Sequence, residues 1–251
     1  MLKTGRRDFI KTAAIGSVAA LSIPTIVADA LAGTSIKKIS LNDNDVVLFQ
    51  GDSITDANRD RKQLLANTTY GMGSGYAFIA GSATLMNNPK KSLQVYNRGI
   101  SGDKVFQLAD RWDTDCLQLK PNVLSILIGV NDHWAVKKHG YTGTIDTYRD
   151  DYRKLLERTK KALPEIKIVI GEPFAVKGVK EVDETWFPKF DEFRAAAKQL
   201  SDEFNTAFIP YQTIFNKAIE AAPGSFWTVD GVHPNLAGAN LMAHAVLSVV
   251  K

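Results

Sequence analysis

Short apolar runs alternate with longer amphipathic stretches along the chain from residue 46 to the C-terminus. The runs are three to six residues long and are bounded by turn-forming residues, a pattern typical of strands buried on both faces of a parallel sheet. Helices between such strands cover the two faces of the sheet. The pattern therefore predicts an α/β fold, a three-layer α/β/α sandwich around a five-stranded parallel sheet. The predicted strands are Val46–Phe49, Leu93–Tyr96, Val123–Ile128, Ile166–Ile170 and Ala207–Ile209.

One amphipathic stretch, Lys104–Leu119, is long enough to predict a single helix. Its apolar residues recur every three or four positions, so one face should lie on the sheet. That face includes Cys116, the only cysteine, which we interpret as a packing residue that cannot form an internal disulfide. Three long connections, 57–75, 133–143 and 174–188, come after predicted strands, on the side where open α/β sheets bind their ligands.

The first 32 residues have the pattern of an export signal. Thr4–Lys11 resembles the twin-arginine motif, and an Ala-rich apolar stretch follows at Thr12–Val27. A membrane anchor is the alternative, although polar residues and a proline interrupt a stretch that is already short for spanning a bilayer. We predict a twin-arginine signal at 1–32, a polar linker at 33–45 and a catalytic domain at 46–251. Such a protein would be exported to the periplasm or the cell exterior and would meet the membrane only through its signal.

Charge and histidine content exclude several classes of function. The formal net charge is +4, but about half of it lies in residues 1–32, so the body lacks the basic surface that binds nucleic acid. The four histidines are scattered and lack the cysteine or carboxylate spacing of a metal site, so we expect no metal and no cofactor. The expected partner is a small molecule or an oligosaccharide, and a homo-oligomer is compatible with the sequence.

A candidate nucleophile, Ser53, follows the first predicted strand. Gly51 lets the backbone turn sharply at the carboxyl end of that strand, and Ser53 then starts a helix. A hydroxyl in this position lies beside unpaired backbone N–H groups that favour developing negative charge. The alternative is that Ser53 is only a helix cap and Asp52 only a turn residue.

A candidate base, His233, precedes the last helix. Pro234 suits the first position of that helix and places His233 at its start, and Asp230 lies three residues earlier on the same turn. Asp230 can accept the Nδ1 proton, which leaves Nε2 free to act as a base for a serine hydroxyl. The alternative is a solvated capping histidine beside a turn aspartate.

Two further turns carry candidate donors for an oxyanion. Gly99 follows the second predicted strand and offers an accessible backbone N–H, and Asn131 follows the third and offers an uncharged amide. With the N–H of Ser53 they would form an oxyanion hole of three neutral donors. Taken singly, each is more often a simple turn former.

Four blocks of sequence resemble, in order and spacing, those of the SGNH (GDSL-type) serine hydrolases. They are Gly51–Ser53, Asn97–Asp103, Gly129–Asp132 and Asp230–Pro234, and the resemblance runs from about residue 46 to the C-terminus. It implies a flavodoxin-like sandwich and a metal-independent serine esterase with Ser53 as nucleophile, His233 as base and Asp230 as its partner. It also implies oxyanion donors at Ser53, Gly99 and Asn131. Residues 51–56 and the two arginines after them most resemble the acetylxylan esterase and xylo-oligosaccharide deacetylase branch.

The candidate substrate-binding residues are Asp52, Tyr70, Trp134 and Trp227. The three aromatic side chains are chosen because aromatic faces can stack on sugar rings. The alternative is that several of these aromatics only anchor loops. The loop at 57–75 is strongly polar, whereas a lipase pocket would be lined by continuous apolar residues. We therefore predict the removal of short acyl groups, such as acetyl, from carbohydrate esters. A lysophospholipase or thioesterase is the alternative enzyme, and a carbohydrate-binding protein without catalysis is the alternative from another class.

Overall fold

The computed structural model describes residues 22–34, 36–138 and 140–251. The predicted twin-arginine motif lies outside these ranges, as does most of the apolar stretch after it. No helix in the described part of the chain has both the length and the apolar character needed to cross a membrane.

Five parallel strands form one sheet in the order β2-β1-β3-β4-β5. Its central strand β3 has every residue buried, as its mostly apolar sequence predicts, and the buried residues include Ser125. The number of the predicted strands and their order along the chain are confirmed. The bounds of β5 match the prediction, and the ends of the other strands differ from it by at most two residues. The strands are β1 Val46–Gly51, β2 Gln94–Asn97, β3 Val123–Leu127, β4 Lys167–Gly171 and β5 Ala207–Ile209.

Helices lie before, between and after these strands. Their bounds are α1 Ile23–Ala30, α2 Ser53–Asp56, α3 Thr69–Met72, α4 Tyr76–Asn87, α5 Val105–Asp110, α6 Trp112–Asp115, α7 Val130–Lys138, α8 Ile145–Ala162, α9 Lys189–Glu203, α10 Tyr211–Ala221, α11 Gly224–Trp227 and α12 Leu236–Val249. Short 3₁₀ helices cover Leu117–Leu119 and Glu184–Trp186.

Two hydrophobic clusters, one on each face of the sheet, produce the three layers. Successive strand residues point to opposite faces, so Val47 and Phe49 pack in one cluster with α1, α4, α10 and α12. Leu48 packs in the other cluster with α5, α8 and α9. The fold class is therefore the predicted α/β/α sandwich.

The predicted single helix at Lys104–Leu119 is wrong. The segment is divided into α5, α6 and a 3₁₀ turn, with Arg111 between the two α-helices in a non-helical conformation (φ −105°, ψ 9°). Arg111 turns its guanidinium to Asp103, Asp115, the Gln50 side chain and the carbonyls of Gly51 and Arg98. The apolar spacing still predicts the buried face, but a buried ionic contact interrupts the helix.

The segment predicted as a polar linker packs against the body. Ile39 and Leu41 are buried, and backbone hydrogen bonds of 2.8–2.9 Å join this segment to Val249 and Lys251 at the C-terminus. The preceding helix α1 buries Ile26 and Val27 against the same core. The linker is therefore packed against the domain at Ile39 and Leu41, although it is largely polar in sequence.

Candidate active site

A tight turn between β1 and α2 presents Ser53. A Cβ at Gly51 would lie 2.3 Å from the carbonyl oxygen of Leu127 on the neighbouring strand β3, so only glycine fits at the end of β1. Asp52 caps α2 by accepting a hydrogen bond of 3.0 Å from the N–H of Ile54. Ser53 is then the first residue of the helix, at the carboxyl edge of the sheet.

The turn before α12 brings a histidine to this serine. His233 Nε2 lies 2.8 Å from Ser53 Oγ, although 180 residues separate them in sequence. On its other side, His233 Nδ1 lies 2.7 Å from Asp230 Oδ2. The second oxygen of Asp230 accepts the backbone N–H groups of Val232 at 2.9 Å and of His233 at 2.8 Å, which holds the carboxylate in place. A serine, an imidazole and a carboxylate are thus linked in series.

The charges around the Ser53–His233–Asp230 series favour protonation of the His233 imidazole. The hydrogen bond to Asp230 raises the pKa of His233 above its ordinary value and outweighs the opposite effect of burial. Burial alone would raise the pKa of Asp230, but hydrogen bonds from the His233 ring and from two backbone N–H groups lower it to about 2. Asp230 is therefore a carboxylate at neutral pH, and it favours the Nδ1–H tautomer of His233.

The three candidate oxyanion donors differ in the hydrogen bonds that they already make. Asn131 lies in the first turn of α7 and donates its side-chain amide to the carbonyl of Asp103 at 3.2 Å. The N–H of Gly99 already donates to the Asn97 side chain at 2.9 Å, which sequence reasoning did not foresee. The N–H of Ser53 has no acceptor within the described part of the chain. All three follow adjacent strands β1, β2 and β3 at the same edge of the sheet.

A family model for the GDSL-like lipase/acylhydrolase family matches residues 49–241. The chain belongs to this family. It is a carboxylic ester hydrolase with the fold of the SGNH hydrolases.

Relatives of this hydrolase include an acetylxylan esterase from Geobacillus stearothermophilus, 32% identical over 83% of this chain and 95% of the relative. A crystal structure of acetylxylan esterase from that organism has a TM-score of 0.74 at 30% identity and covers 82% of this chain and 94% of its own. A structure from Parabacteroides merdae, described under the name GDSL-like lipase, has a TM-score of 0.83 at 48% identity. It covers 84% of this chain and 98% of its own.

Two of the predicted substrate-binding residues of this hydrolase are buried, and that part of the prediction is wrong. Asp52 is fully buried and caps α2, and Trp227 is only 3% exposed and donates its indole N–H to the carbonyl of Ala222. Neither side chain can therefore touch a bound ester. Tyr70 is 75% exposed on α3, but it is not among the residues that line the cavity at Ser53.

Trp134 is the predicted substrate-binding residue that lies beside the Ser53–His233 pair. Its ring centroid is 6.1 Å from that of His233. It is carried by α7, which occupies half of the segment predicted as a loop at 133–143. The neighbouring His133 points elsewhere, into an aromatic cluster of Trp186, Phe190 and Phe193, where burial lowers its pKa to about 4.

Two cavities lie at or near the Ser53–His233 pair. The nucleophile cavity has a volume of about 580 Å³ and contains Ser53 and His233 in its wall. The aromatic cavity has a volume of about 470 Å³ and contains Asn131 and Trp134. Ser101 lines the first and Gly102 lines the second, so the two cavities adjoin.

A buried ionic network beneath the site escaped sequence reasoning. Arg111 contacts Asp103 at 2.8 Å and Asp115 at 2.9 Å, and Asp56 accepts both the N–H and the hydroxyl of Ser101 at 2.8 Å. Arg59 donates to the carbonyl of Gly99 at 2.8 Å. These contacts hold the turns after β1 and β2 together. The sequence does contain one signal of this network: Arg111 is a charged residue within the apolar stripe of Lys104–Leu119.

No arrangement in the described residues is suited to hold a metal ion. Within 22–34, 36–138 and 140–251, histidine, cysteine and acidic side chains do not gather in groups of three or more with ligand geometry.

Proposed function

We propose that this protein is a serine esterase that removes acetyl and other short acyl groups from carbohydrate esters through an acyl-serine intermediate. The contact that carries the proposal is the 2.8 Å distance between Ser53 Oγ and His233 Nε2, continued at 2.7 Å to Asp230. An unactivated hydroxyl is a poor nucleophile at neutral pH, and a neighbouring imidazole held by a carboxylate is the usual way to activate it.

In the proposed reaction, Ser53 Oγ attacks the ester carbonyl while its proton passes to His233 Nε2. The carbonyl oxygen becomes an oxyanion that accepts hydrogen bonds from the N–H of Ser53, the amide of Asn131 and the N–H of Gly99, which it shares with Asn97. The imidazolium then protonates the leaving alcohol as the C–O bond breaks, leaving an acyl-serine. A water molecule, deprotonated by His233, attacks this ester. The imidazolium then returns the proton to Ser53 Oγ as the acyl C–O bond breaks, which releases the acid and free Ser53. Removing one oxyanion donor should reduce turnover by about 10² to 10³-fold.

Both the relatives and the cavity support a short acyl group on a sugar. Structures of the Geobacillus enzyme include variants described as catalytic mutants, in which a serine, an aspartate or a histidine is replaced by alanine. Near Ser53, small or polar residues line the nucleophile cavity, among them Ala57, Ser74 and Gly75. Such a wall lacks the continuous apolar surface that a long acyl chain would need next to the nucleophile.

The proposal is tested by comparing Ser53→Ala with the exposed control Ser82→Ala on α4. Hydrolysis of p-nitrophenyl acetate and acetate release from acetylated xylose sugars, acetylated pectin and acetylated glucosamine are the measurements. We expect Ser53→Ala to lose at least about 10³-fold in turnover and to lose labelling by a fluorophosphonate, while Ser82→Ala keeps both. Unchanged turnover in Ser53→Ala would exclude the mechanism.

A lysophospholipase or thioesterase remains the second candidate because apolar residues stand at the mouth of the nucleophile cavity. Leu236 is 76% exposed there and Val229 is 53% exposed. Such residues can contact a longer acyl chain that extends out of the cavity. Comparing turnover of acetyl and octanoyl esters of the same alcohol separates the two functions, and we expect acetyl to be the better substrate.

We also propose that the protein is exported through the twin-arginine route. The support is the motif at residues 4–11 and the apolar stretch that follows it. Replacing both Arg6 and Arg7 by lysine should retain the protein in the cytoplasm of a bacterial host. The mass of the exported form would then show whether α1, which buries Ile26 and Val27, is kept.

A further inference from the structure

The aromatic cavity meets the nucleophile cavity at the neighbouring residues Ser101 and Gly102. Its Trp134 lies beside His233, with ring centroids 6.1 Å apart. Asn131, a proposed oxyanion donor, also lines it. A sugar bound in the aromatic cavity would therefore be next to an ester group held at Ser53.

One wall of the aromatic cavity combines two aromatic rings with a cation. The rings of Phe106 and Tyr141 are stacked, with centroids 5.9 Å apart and planes at 23°. The ammonium of Lys104 lies 5.6 Å from the centroid of Phe106 and 5.3 Å from that of Tyr141. Phe106 is 38% exposed although it is a large apolar side chain. Aromatic rings exposed in a cavity are suited to pack against the apolar face of a sugar.

The charge of Lys104 is not used by a carboxylate of the protein. Its ammonium donates to the neutral amide oxygen of Gln107 at 3.1 Å, and no salt bridge joins it to an acid in the part of the chain described here. Two acids close to it in sequence or space have other partners. Asp103 forms a salt bridge with Arg111, and the buried Asp132 accepts a hydrogen bond from the backbone N–H of Val105. Burial raises the pKa of Asp132 to about 7, because it disfavours the charged carboxylate. Lys104 is therefore an ammonium at the cavity wall with donors to spare.

We propose that the aromatic cavity binds an acidic sugar next to the acetylated one, with Phe106 and Tyr141 against the ring and Lys104 paired with its carboxylate. This inference rests on the proposed function and names its substrate class, an acetylated oligosaccharide that contains a uronic acid. The uronic acid can be a branch on a neutral chain, as glucuronate on xylan, or part of the main chain, as in galacturonan. The recognised chemistry, a carboxylate on a pyranose ring, is the same in both.

The test compares acetylated xylo-oligosaccharides of equal length with and without a glucuronate branch, beside acetylated galacturonan oligosaccharides. Lys104→Met removes the charge and keeps the aliphatic stem on the rings, and Lys104→Arg keeps the charge. Lys90→Met is the matched control, because it removes an exposed lysine that precedes β2. Lys90 therefore lies near the amino-terminal ends of the strands, whereas the site lies at their carboxyl ends.

We expect the wild type to prefer one class of acidic substrate over the neutral one, with the preference expressed in KM. Lys104→Met should reduce the acidic-to-neutral ratio of kcat/KM by about fivefold, the effect of a partly exposed ion pair, and Lys104→Arg should restore it. About 0.5 M salt should weaken the wild-type preference in the same direction. Lys90→Met should keep the wild-type ratio. A purely structural Lys104 would instead change turnover of acidic and neutral substrates equally, which would overturn the inference.

Binding separates failure of this inference from failure of the proposed function. Calorimetry with the Ser53→Ala variant and unacetylated oligosaccharides measures the aromatic cavity without hydrolysis. Tighter binding of the glucuronate-branched or galacturonate oligosaccharide than of the neutral one, lost in Ser53→Ala/Lys104→Met, supports the inference even if the wild type proves inactive on acetyl esters. Equal binding of acidic and neutral sugars overturns it even if the esterase is active.

Discussion

The two turns that supply the candidate catalytic side chains are held in different ways. Asp230 and His233 lie three residues apart, and the carboxylate is held by the ring and backbone of its own turn. The turn of Ser53 is held from a distance, by the close approach of Leu127 on β3 and by the ionic network around Arg111. The imidazole–carboxylate contact is thus made within one turn, although Val176 and Glu181 donate hydrogen bonds to the backbone of that turn. The position of the serine depends on the packing of three strands. Changes at the two turns should therefore have different consequences for stability and activity.

His233→Asn should have the largest effect on activity and a small effect on stability. The substitution removes the base but leaves the neighbouring backbone hydrogen bonds of Asp230 in place. We expect kcat to fall by at least about 10³-fold, measured on p-nitrophenyl acetate, with the urea midpoint nearly unchanged. The double variant with Ser53→Ala should be little worse than either single variant, because the two groups act as a unit. Multiplicative losses would show that they act independently.

Arg111→Met should show the opposite balance, with loss of stability as its main effect. The side chain is 14% exposed, and its removal leaves Asp103 and Asp115 without their partner beneath the Ser53 turn. We expect the free energy of unfolding to fall by about 3 kcal/mol, measured by urea denaturation. The matched control is Arg153→Met, which breaks an exposed pair with Glu203 and should cost less than about 1 kcal/mol. Equal costs would show that the Arg111 network is not what stabilises this turn.

Gly51→Ala tests whether close packing of strands places the serine. The new methyl group would lie 2.3 Å from the carbonyl of Leu127, so β1 and β3 must separate or the turn must shift. We expect a loss of about 1 to 3 kcal/mol in unfolding free energy together with a lower kcat. Gly102→Ala is the control, since it has a left-handed backbone (φ 89°) but no atom within 4 Å of the added carbon. Its cost should be limited to backbone strain of about 1 kcal/mol.

The pH profile of kcat/KM should depend on the His233–Asp230 contact and not on the Arg111 network. His233 must be neutral to accept a proton, and its pKa is raised by Asp230, so kcat/KM should fall on the acid side with a midpoint above the ordinary value of about 6.5. Asp230→Asn should move this midpoint to lower pH as well as reduce the rate. The raised pKa also means that the His233 contribution to stability is present below its ordinary pKa and declines as pH rises through the raised value. Arg111→Met should leave the midpoint unchanged, and a shift there would show that the two turns are coupled.

Much of the candidate site follows from sequence because polar residues after consecutive parallel strands meet at one edge of the sheet. Ser53, Gly99 and Asn131 follow β1, β2 and β3, and the structure places all three at that edge. The exposure of Trp227 could not be predicted in this way. An indole after a turn has the same local sequence whether it faces solvent or, as here, packs into the core against α10. The interruption of the helix at Arg111 could not be predicted for the same reason, since most of the partners of Arg111 lie on other elements.

By itself, the amino-acid sequence determined the order of the strands along the chain, the sandwich class and the Asp230–His233 spacing. These depend on hydrophobic periodicity and on contacts between residues close in the chain. Only the tertiary structure decided that His233 reaches Ser53, that the Gly99 N–H is shared with Asn97, and that Lys104 faces a cavity between aromatic rings. Those features depend on distances between segments far apart in sequence, and such distances are fixed by how the layers pack.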